Sequence, residues 1–176
     1  MQNYLGGSYV SVNNERAMLM VFTGNGKGKT TAAIGQAIRA IGQGKRVFMM
    51  QFIKSTTYPS GEDTVLTALS STSDGLLHFE KGGLGFVGIL GDSILFKDHQ
   101  AAAWQALAKA AQAAQSGSYD LVILDEVNVA IDLRLLDVAK VVAFLEDLPP
   151  AVDVIFTGRY AHSEILFRGV YVILWL

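Results

Sequence analysis

Residues 18–33 read MLMVFTGNGKGKTTAA, and this stretch decides the fold. Met18–Thr23 is a short apolar run of the kind that makes a buried strand. It leads straight into Gly24, Asn25, Gly26, Lys27, Gly28, Lys29, Thr30 and Thr31, and then into an alanine-containing helix candidate, Lys29–Ile41, that ends before Gly42 and Gly44. A strand, a glycine loop and a helix in that order make a phosphate-binding loop. The glycines let successive N–H groups turn onto an anion, and the helix adds the positive end of its dipole. Lys29 is placed to reach the phosphates, Thr30 to ligate Mg²⁺ through its hydroxyl, and Thr31 to cap or contact a further phosphate. The loop departs by one residue from G-x-x-x-x-G-K-[ST]. Thr23 stands where the first glycine belongs, Gly24 comes one place late, and Lys27 adds a second cation. The dinucleotide fingerprint G-x-G-x-x-G fails, because Lys29 occupies its third glycine position, and this argues against a dehydrogenase.

Working outward, five more apolar runs read as strands: Val47–Phe52, Leu76–Phe79, Tyr119–Leu124, Val152–Thr157 and Val170–Leu174. Helix candidates lie between them, at Asp63–Ser70 capped by Glu62 and Asp63, at Asp98–Gln115 and at Leu133–Leu145. In the second, Trp104, Leu107, Ala108 and Ala111 recur at helical spacing and read as core. Buried strands alternating with helices predict an α/β fold in three layers, a mostly parallel sheet with helices on both faces, of the RecA-like phosphate-loop NTPase kind. The expected organisation is a polar N-terminal segment, 1–15, followed by one domain, 16–176. Gly82–Asp92, with five glycines among large apolar side chains, interrupts the alternation and reads as a flexible loop with exposed apolar groups.

Composition narrows the function classes. The chain has 176 residues, 51% of them apolar, with no cysteine, which excludes a disulfide framework and a cysteine-ligated metal. His78, His99 and His162 have no metal-ligand spacing. No apolar run approaches the ~20 residues of a membrane helix, and the N-terminus lacks the apolar stretch of a signal peptide, so the expected location is cytoplasmic, with no membrane partner. The net charge of −2 conceals a segment, 16–61, that carries seven basic residues and no acid, and a following segment with an excess of eight acids. The lysines cluster in the loop and at strand ends without interleaved aromatics, so a nucleic-acid partner is not expected.

A triphosphate enzyme needs a carboxylate for its metal, and Asp125-Glu126 closes the fourth strand at the sheet edge where ligands bind. Asp125 is placed to hold Mg²⁺ directly or through water; Glu126 to orient water, to hold a metal-bound water, or to meet solvent. Gln51 and Lys54 close the second strand at the same edge, as nucleotide or substrate contacts or as solvated strand ends. Arg159 reads either as a phosphate contact or as the partner of Asp153 or Glu164, and His162 as a surface residue at a helix start.

The run T-G-N-G-K-G-K-T-T-A-A at 23–33 resembles the signature of the ATP:corrinoid adenosyltransferases. The likeness extends through Gln51-Phe52-Ile53-Lys54, Gly85-Phe86, Leu124-Asp125-Glu126 and Thr157-Gly158-Arg159, over roughly residues 16–168. It implies transfer of the 5′-deoxyadenosyl group of ATP to the Co(I) of a reduced corrinoid, with release of triphosphate, in cobalamin biosynthesis or salvage. The nucleophile then belongs to the substrate, and the protein supplies positioning and charge stabilisation. The resemblance also implies ATP as co-substrate, Mg²⁺ or Mn²⁺, a possible flavoprotein reductant, a homodimer, an Arg159 facing phosphate or corrin, and a Phe86 that wedges near the corrin. Where the family commonly reads G-F-T-W, this chain reads Gly85-Phe86-Val87-Gly88, with Ile89 and Leu90 beside it as an apolar surround; its C-terminus also reads as short for the family. Two other readings share Lys29, Thr30 and Asp125: an ordinary phosphate-loop ATPase or kinase, and a nucleotide- or corrinoid-binding module without turnover.

Overall fold

A computed structural model describes residues 17–57 and 59–176; the polar segment expected at 1–15 lies outside the described residues. Six strands form one sheet: β1 (Leu19–Gly24), β2 (Val47–Gln51), β3 (Leu77–Lys81), β4 (Leu121–Asp125), β5 (Asp153–Thr157) and β6 (Tyr171–Trp175). Their order is β3-β2-β4-β5-β1-β6, and every pairing is parallel. The expected α/β architecture is therefore present, and each strand lies within two residues of its expected bounds at either end.

Alternation along the strands divides the core. Leu19, Val21, Phe48, Met50, Val122, Leu124, Val154 and Phe156 face one side. There they meet α3 (Phe96–Gln115), α4 (Val127–Asp132), α5 (Val138–Glu146) and α6 (Ser163–Arg168). Phe22, Val47, Met49, Leu121, Ile123 and Ile155 face the other side, under α1 (Lys29–Gly42) and α2 (Gly61–Thr72). Strands buried on both faces explain why they read as continuous apolar runs. Across this sheet β5 separates β1 from β4, so the loop after β1 and the carboxylate ending β4 stand two strand spacings apart, roughly 10 Å.

Four expectations are corrected. The helix expected at Leu133–Leu145 begins only at Val138, as α5; residues 133–137, where Arg134 takes a φ of 59°, are a turn that follows α4, a short helix that was not expected. Asp137 starts α5 by accepting a bond from the Ala139 N–H at 2.9 Å. The second helix starts at Gly61, behind Ser60, whose N–H donates to Asp63 Oδ2 at 2.9 Å; Glu62 instead pairs with Lys54. On α3 the packing stripe is Ala103, Ala106, Leu107, Ala110, Ala113 and Ala114, while Trp104 is exposed, because the helix lies too close to the sheet for an indole. The glycine loop carries exposed Leu84, Phe86, Ile89 and Leu90 as expected, but its base is fixed. The Gly82, Gly83 and Gly85 N–H groups donate to the carbonyls of Gln51, Lys54 and Ile53. A Cβ on Gly83 would lie 2.1 Å from the Ile53 carbonyl carbon, so only glycine fits there.

Candidate active site

The loop after β1 closes on itself. Lys29 is buried, and its Nζ donates to the carbonyls of Gly24 at 2.8 Å and Gly26 at 2.5 Å. Gly28, at φ 111°, turns the chain into α1, whose first internal bond runs from the Ala32 N–H to the Gly28 carbonyl. The N–H groups of the first turn therefore point out of the helix end, as an anion site requires. Burial, and next the nearby Arg159 guanidinium, hold the Lys29 pKa below its ordinary value, with Glu126 opposing. A polyanion would relieve both effects. Thr23, which stands in place of the usual glycine, accepts a bond from the Ala161 N–H at 3.3 Å and so ties the loop to the segment after β5.

Opposite the loop, three strands end in a fully buried polar row: Gln51 on β2, Asp125 on β4 and Thr157 on β5. Asp125 Oδ1 accepts from Thr157 Oγ1 at 2.6 Å and from Thr30 Oγ1 at 2.8 Å. Its Oδ2 accepts from Gln51 Nε2 at 3.0 Å and lies 3.2 Å from Lys54 Nζ. Thr157 thus fills the gap that β5 opens between the phosphate loop and the carboxylate. Lys54 also pairs with Glu62 at 2.6 Å. Burial disfavours its charge, but the Asp125 and Glu62 carboxylates outweigh that and hold its pKa above the usual value. Glu126 takes a left-handed φ of 64°, and its N–H donates to Thr157 Oγ1 at 2.9 Å. Burial first, and Asp125 second, push the Glu126 carboxyl upward.

A cleft of about 520 Å³ opens over the loop and Glu126, while Asp125 is fully buried behind Thr30 and does not line it. Its polar wall is Lys27, Lys29, Thr30 and Thr31 with Glu126 and Arg159; its apolar wall is Ile53, Phe86, Val87, Ile89 and Val129. Arg159 reaches the loop from the far side, with Nη2 3.4 Å from the Asn25 carbonyl oxygen, while its other candidate partners are engaged elsewhere, Asp153 with the Met18 N–H and Glu164 with Arg168. The arrangement brings Gly26, Lys27, Gly28, Lys29, Thr30, Thr31, Phe86, Glu126 and Arg159 to one cavity. It does not bring Gln51 there: that side chain is buried and orients Asp125. Lys54 opens onto a neighbouring hollow with Thr30 and Thr31. Gly24 and Asn25 shape the loop from behind. His162 caps α6 by accepting from the Glu164 N–H.

Thr157 is the residue that sequence reasoning missed as a member of the site. The signal was available, since it closes a buried apolar strand with a polar group as Gln51 and Asp125 do. Asn128 was missed as well; it is fully buried, it donates to the Gly158 carbonyl at 3.4 Å, and its Oδ1 has no partner among the described residues.

The donor set suits a small, hard cation. The described residues hold no cluster of three or more histidine, cysteine or acidic side chains, so no all-protein metal cage exists among them. One carboxylate facing a threonine hydroxyl beside a phosphate loop is the arrangement in which Mg²⁺ keeps its waters and takes remaining ligands from phosphates.

The sequence model of ATP:corrinoid adenosyltransferase BtuR/CobO/CobP matches residues 15–172. The chain belongs to the ATP:corrinoid adenosyltransferase family. Among curated proteins it is similar to the corrinoid adenosyltransferase of Escherichia coli, 38% identical over 87% of this chain and 73% of that one. It is also similar to the corrinoid adenosyltransferase CobA of Salmonella typhimurium, 36% identical over 86% and 72% of the two chains. The corrinoid adenosyltransferase of Pseudomonas aeruginosa is 33% identical over 87% and 71%. Among solved structures, a KaiC-like protein from Pyrococcus horikoshii superposes with a TM-score of 0.53 at 14% identity, covering 90% of this chain and 71% of that one, which is a likeness of fold. No helix among the described residues is long and apolar enough to cross a membrane.

Proposed function

We propose that this adenosyltransferase binds ATP with its triphosphate in the loop 24–31 and carries the 5′-deoxyadenosyl group to the Co(I) of a reduced corrinoid. The cobalt electron pair becomes the bond to C5′, the C5′–O bond breaks, and inorganic triphosphate leaves with the electrons of that broken bond. The observation that carries the reading is the single cleft with a phosphate-binding wall and an apolar wall formed by Ile53, Phe86 and Ile89. No side chain there is needed as nucleophile, because the substrate supplies it.

On this reading Lys29 and the N–H groups at the start of α1 take the phosphates, and Arg159 adds charge from the opposite side. They stabilise the leaving triphosphate as its charge grows. Thr30 and Asp125 would hold Mg²⁺ or Mn²⁺, with Glu126 in the same cleft as Thr30; a bound divalent ion would supply charge neutralisation on the triphosphate. Phe86, with Val87 and Ile89, presents the corrin with a water-poor surface, which favours the uncharged environment that a Co(I) centre needs. The same reading takes a flavoprotein as electron donor, a homodimer as the working form and the cytoplasm as its location.

The test is spectroscopic. Reduced corrinoid, ATP and Mg²⁺ are mixed anaerobically with the protein, and the expected result is a light-sensitive alkylcobalt spectrum with one triphosphate released per cobalt. Formation of ADP and phosphate instead, or ATP binding without alkylcobalt, refutes it.

A further inference from the structure

We infer that Trp175, at the end of β6, is a positioning residue for the phosphate loop and so for the triphosphate, an inference that rests on the reading of this loop as the ATP site. The three loop glycines share one feature: the side chain each lacks would point at the end of β6. A Cβ on Gly24 would lie 2.2 Å from the Trp175 carbonyl oxygen, and one on Gly26 would lie 2.6 Å from the Leu176 carbonyl oxygen. A Cβ on Gly28 would lie 3.2 Å from the Trp175 indole Nε1. The spacing of glycines in this loop is therefore dictated by a protein neighbour as well as by phosphate. Gly24, which pairs with Trp175 in the β1–β6 register, also has a φ of 96°, so close approach and backbone conformation both require glycine there.

Trp175 and Lys29 both hold the first half of the loop. The Gly26 N–H donates to the Trp175 carbonyl at 3.0 Å, while the Gly24 and Gly26 carbonyls accept from Lys29 Nζ. When Lys29 turns to the phosphates those two bonds are given up, and the Gly26 contact with β6 remains, beside those of Thr23 with Ala161 and of Asn25 with Arg159. The indole is what seats this carbonyl. Its ring packs on Phe22 with centroids 5.4 Å apart at 59°, while Tyr171–Leu174 before it are exposed, so no other side chain of β6 anchors the strand end as firmly. Because the contact matters more with phosphate bound than without, its loss weakens phosphate binding beyond any effect on the fold.

The test uses binding of ATP and of inorganic tripolyphosphate by calorimetry, with steady-state turnover, on the full chain. Wild-type protein must bind ATP; if it does not, the reading of the loop fails and the present inference is not what failed. Given that binding, Trp175→Ala is expected to weaken both ligands and raise the KM for ATP by about tenfold, the scale of one hydrogen bond's loss, with kcat at saturating ATP within about twofold. Trp175→Phe, which keeps a ring on Phe22, is expected to restore affinity. Unchanged tripolyphosphate affinity in a folded Trp175→Ala protein, or a fall in kcat without a change in KM, overturns the inference. Should Trp175→Ala fail to fold, Trp104→Phe leaves Trp175 as the sole tryptophan. Its emission is then expected to change on saturation with tripolyphosphate, and an unaltered spectrum overturns the inference equally.

Discussion

Replacing Thr157 with valine tests whether the buried row is what joins the phosphate loop to its carboxylate. The residue is fully buried, and its one hydroxyl donates to Asp125 Oδ1 at 2.6 Å and accepts from the Glu126 N–H at 2.9 Å. Valine keeps the shape and removes both bonds. Loss of a hydrogen bond to a carboxylate costs about 1.5 to 3 kcal/mol, and leaving a buried N–H without an acceptor costs about 1 to 3 kcal/mol. The added methyl returns about 0.8 kcal/mol by burial, so the net loss is about 3 kcal/mol. In a domain of this size each kcal/mol moves the Tm by about 2 to 4 °C, which places the variant about 6 to 12 °C below wild type. Thr30→Val is the paired control. Its hydroxyl makes one bond, to Asp125 Oδ1 at 2.8 Å, at a half-buried site, so the expected loss is about 1 kcal/mol. In turnover the order is expected to reverse, because Thr30 lines the cleft and Thr157 does not: Thr30→Val is expected to lose more activity. Thermal unfolding with turnover assays on both variants decides the matter. A Thr157→Val protein melting within about 2 °C of wild type, or the two variants losing stability equally, refutes the argument.

Lys29→Ala is expected to weaken ATP binding by about a hundredfold with little change in Tm, since the side chain's present bonds are to loop carbonyls; calorimetry and a melt check this. Glu126→Gln removes a carboxyl whose folded pKa is raised, so the wild-type protein loses stability as pH climbs from the unfolded value, about 4.3, to the folded one. The variant is therefore expected to melt above wild type at pH 7 and level with it below about pH 4, as measured by melts across that range. Gly83→Ala drives a Cβ against the Ile53 backbone at 2.1 Å, which displaces the loop carrying Phe86. Corrinoid turnover is expected to fall by about tenfold while ATP affinity stays within about twofold, so an equal loss of both refutes a separate apolar wall.

How much of this was legible in sequence differs from element to element for physical reasons. The central strands β1, β2, β4 and β5 were legible because the sheet is covered on both faces there, so each appears as an apolar run; β6 reads the same way although its side chains are exposed. The phosphate loop was legible because backbone freedom demands glycine. The break between α4 and α5 was not: Leu135 and Leu136 are 2% exposed although they lie outside any helix, so apolar spacing continues across a segment whose bonds close the end of α4 instead of extending a helix. Trp104 misled for the opposite reason, since close approach of α3 to the sheet selects alanines and turns the largest side chain outward. In the site, the types and edge of Asp125, Lys54 and Gln51 were readable, but which of them meet was not. That depends on the β2–β4 register, in which Gln51 stands beside Asp125, and a single-residue slip would turn each side chain to the other face.

The polar row also bears on how the chain matures. Its three members sit at positions 51, 125 and 157, and its fourth contact, Thr30, comes from the other side of β5. None of these can meet until β4 has docked between β2 and β5, which closes long loops at a cost in chain entropy. Until then Asp125 has no dry surroundings and the loop has no carboxylate opposite it. The complete row is thus a property of the finished sheet alone, and a ligand that binds only that state stabilises it by mass action.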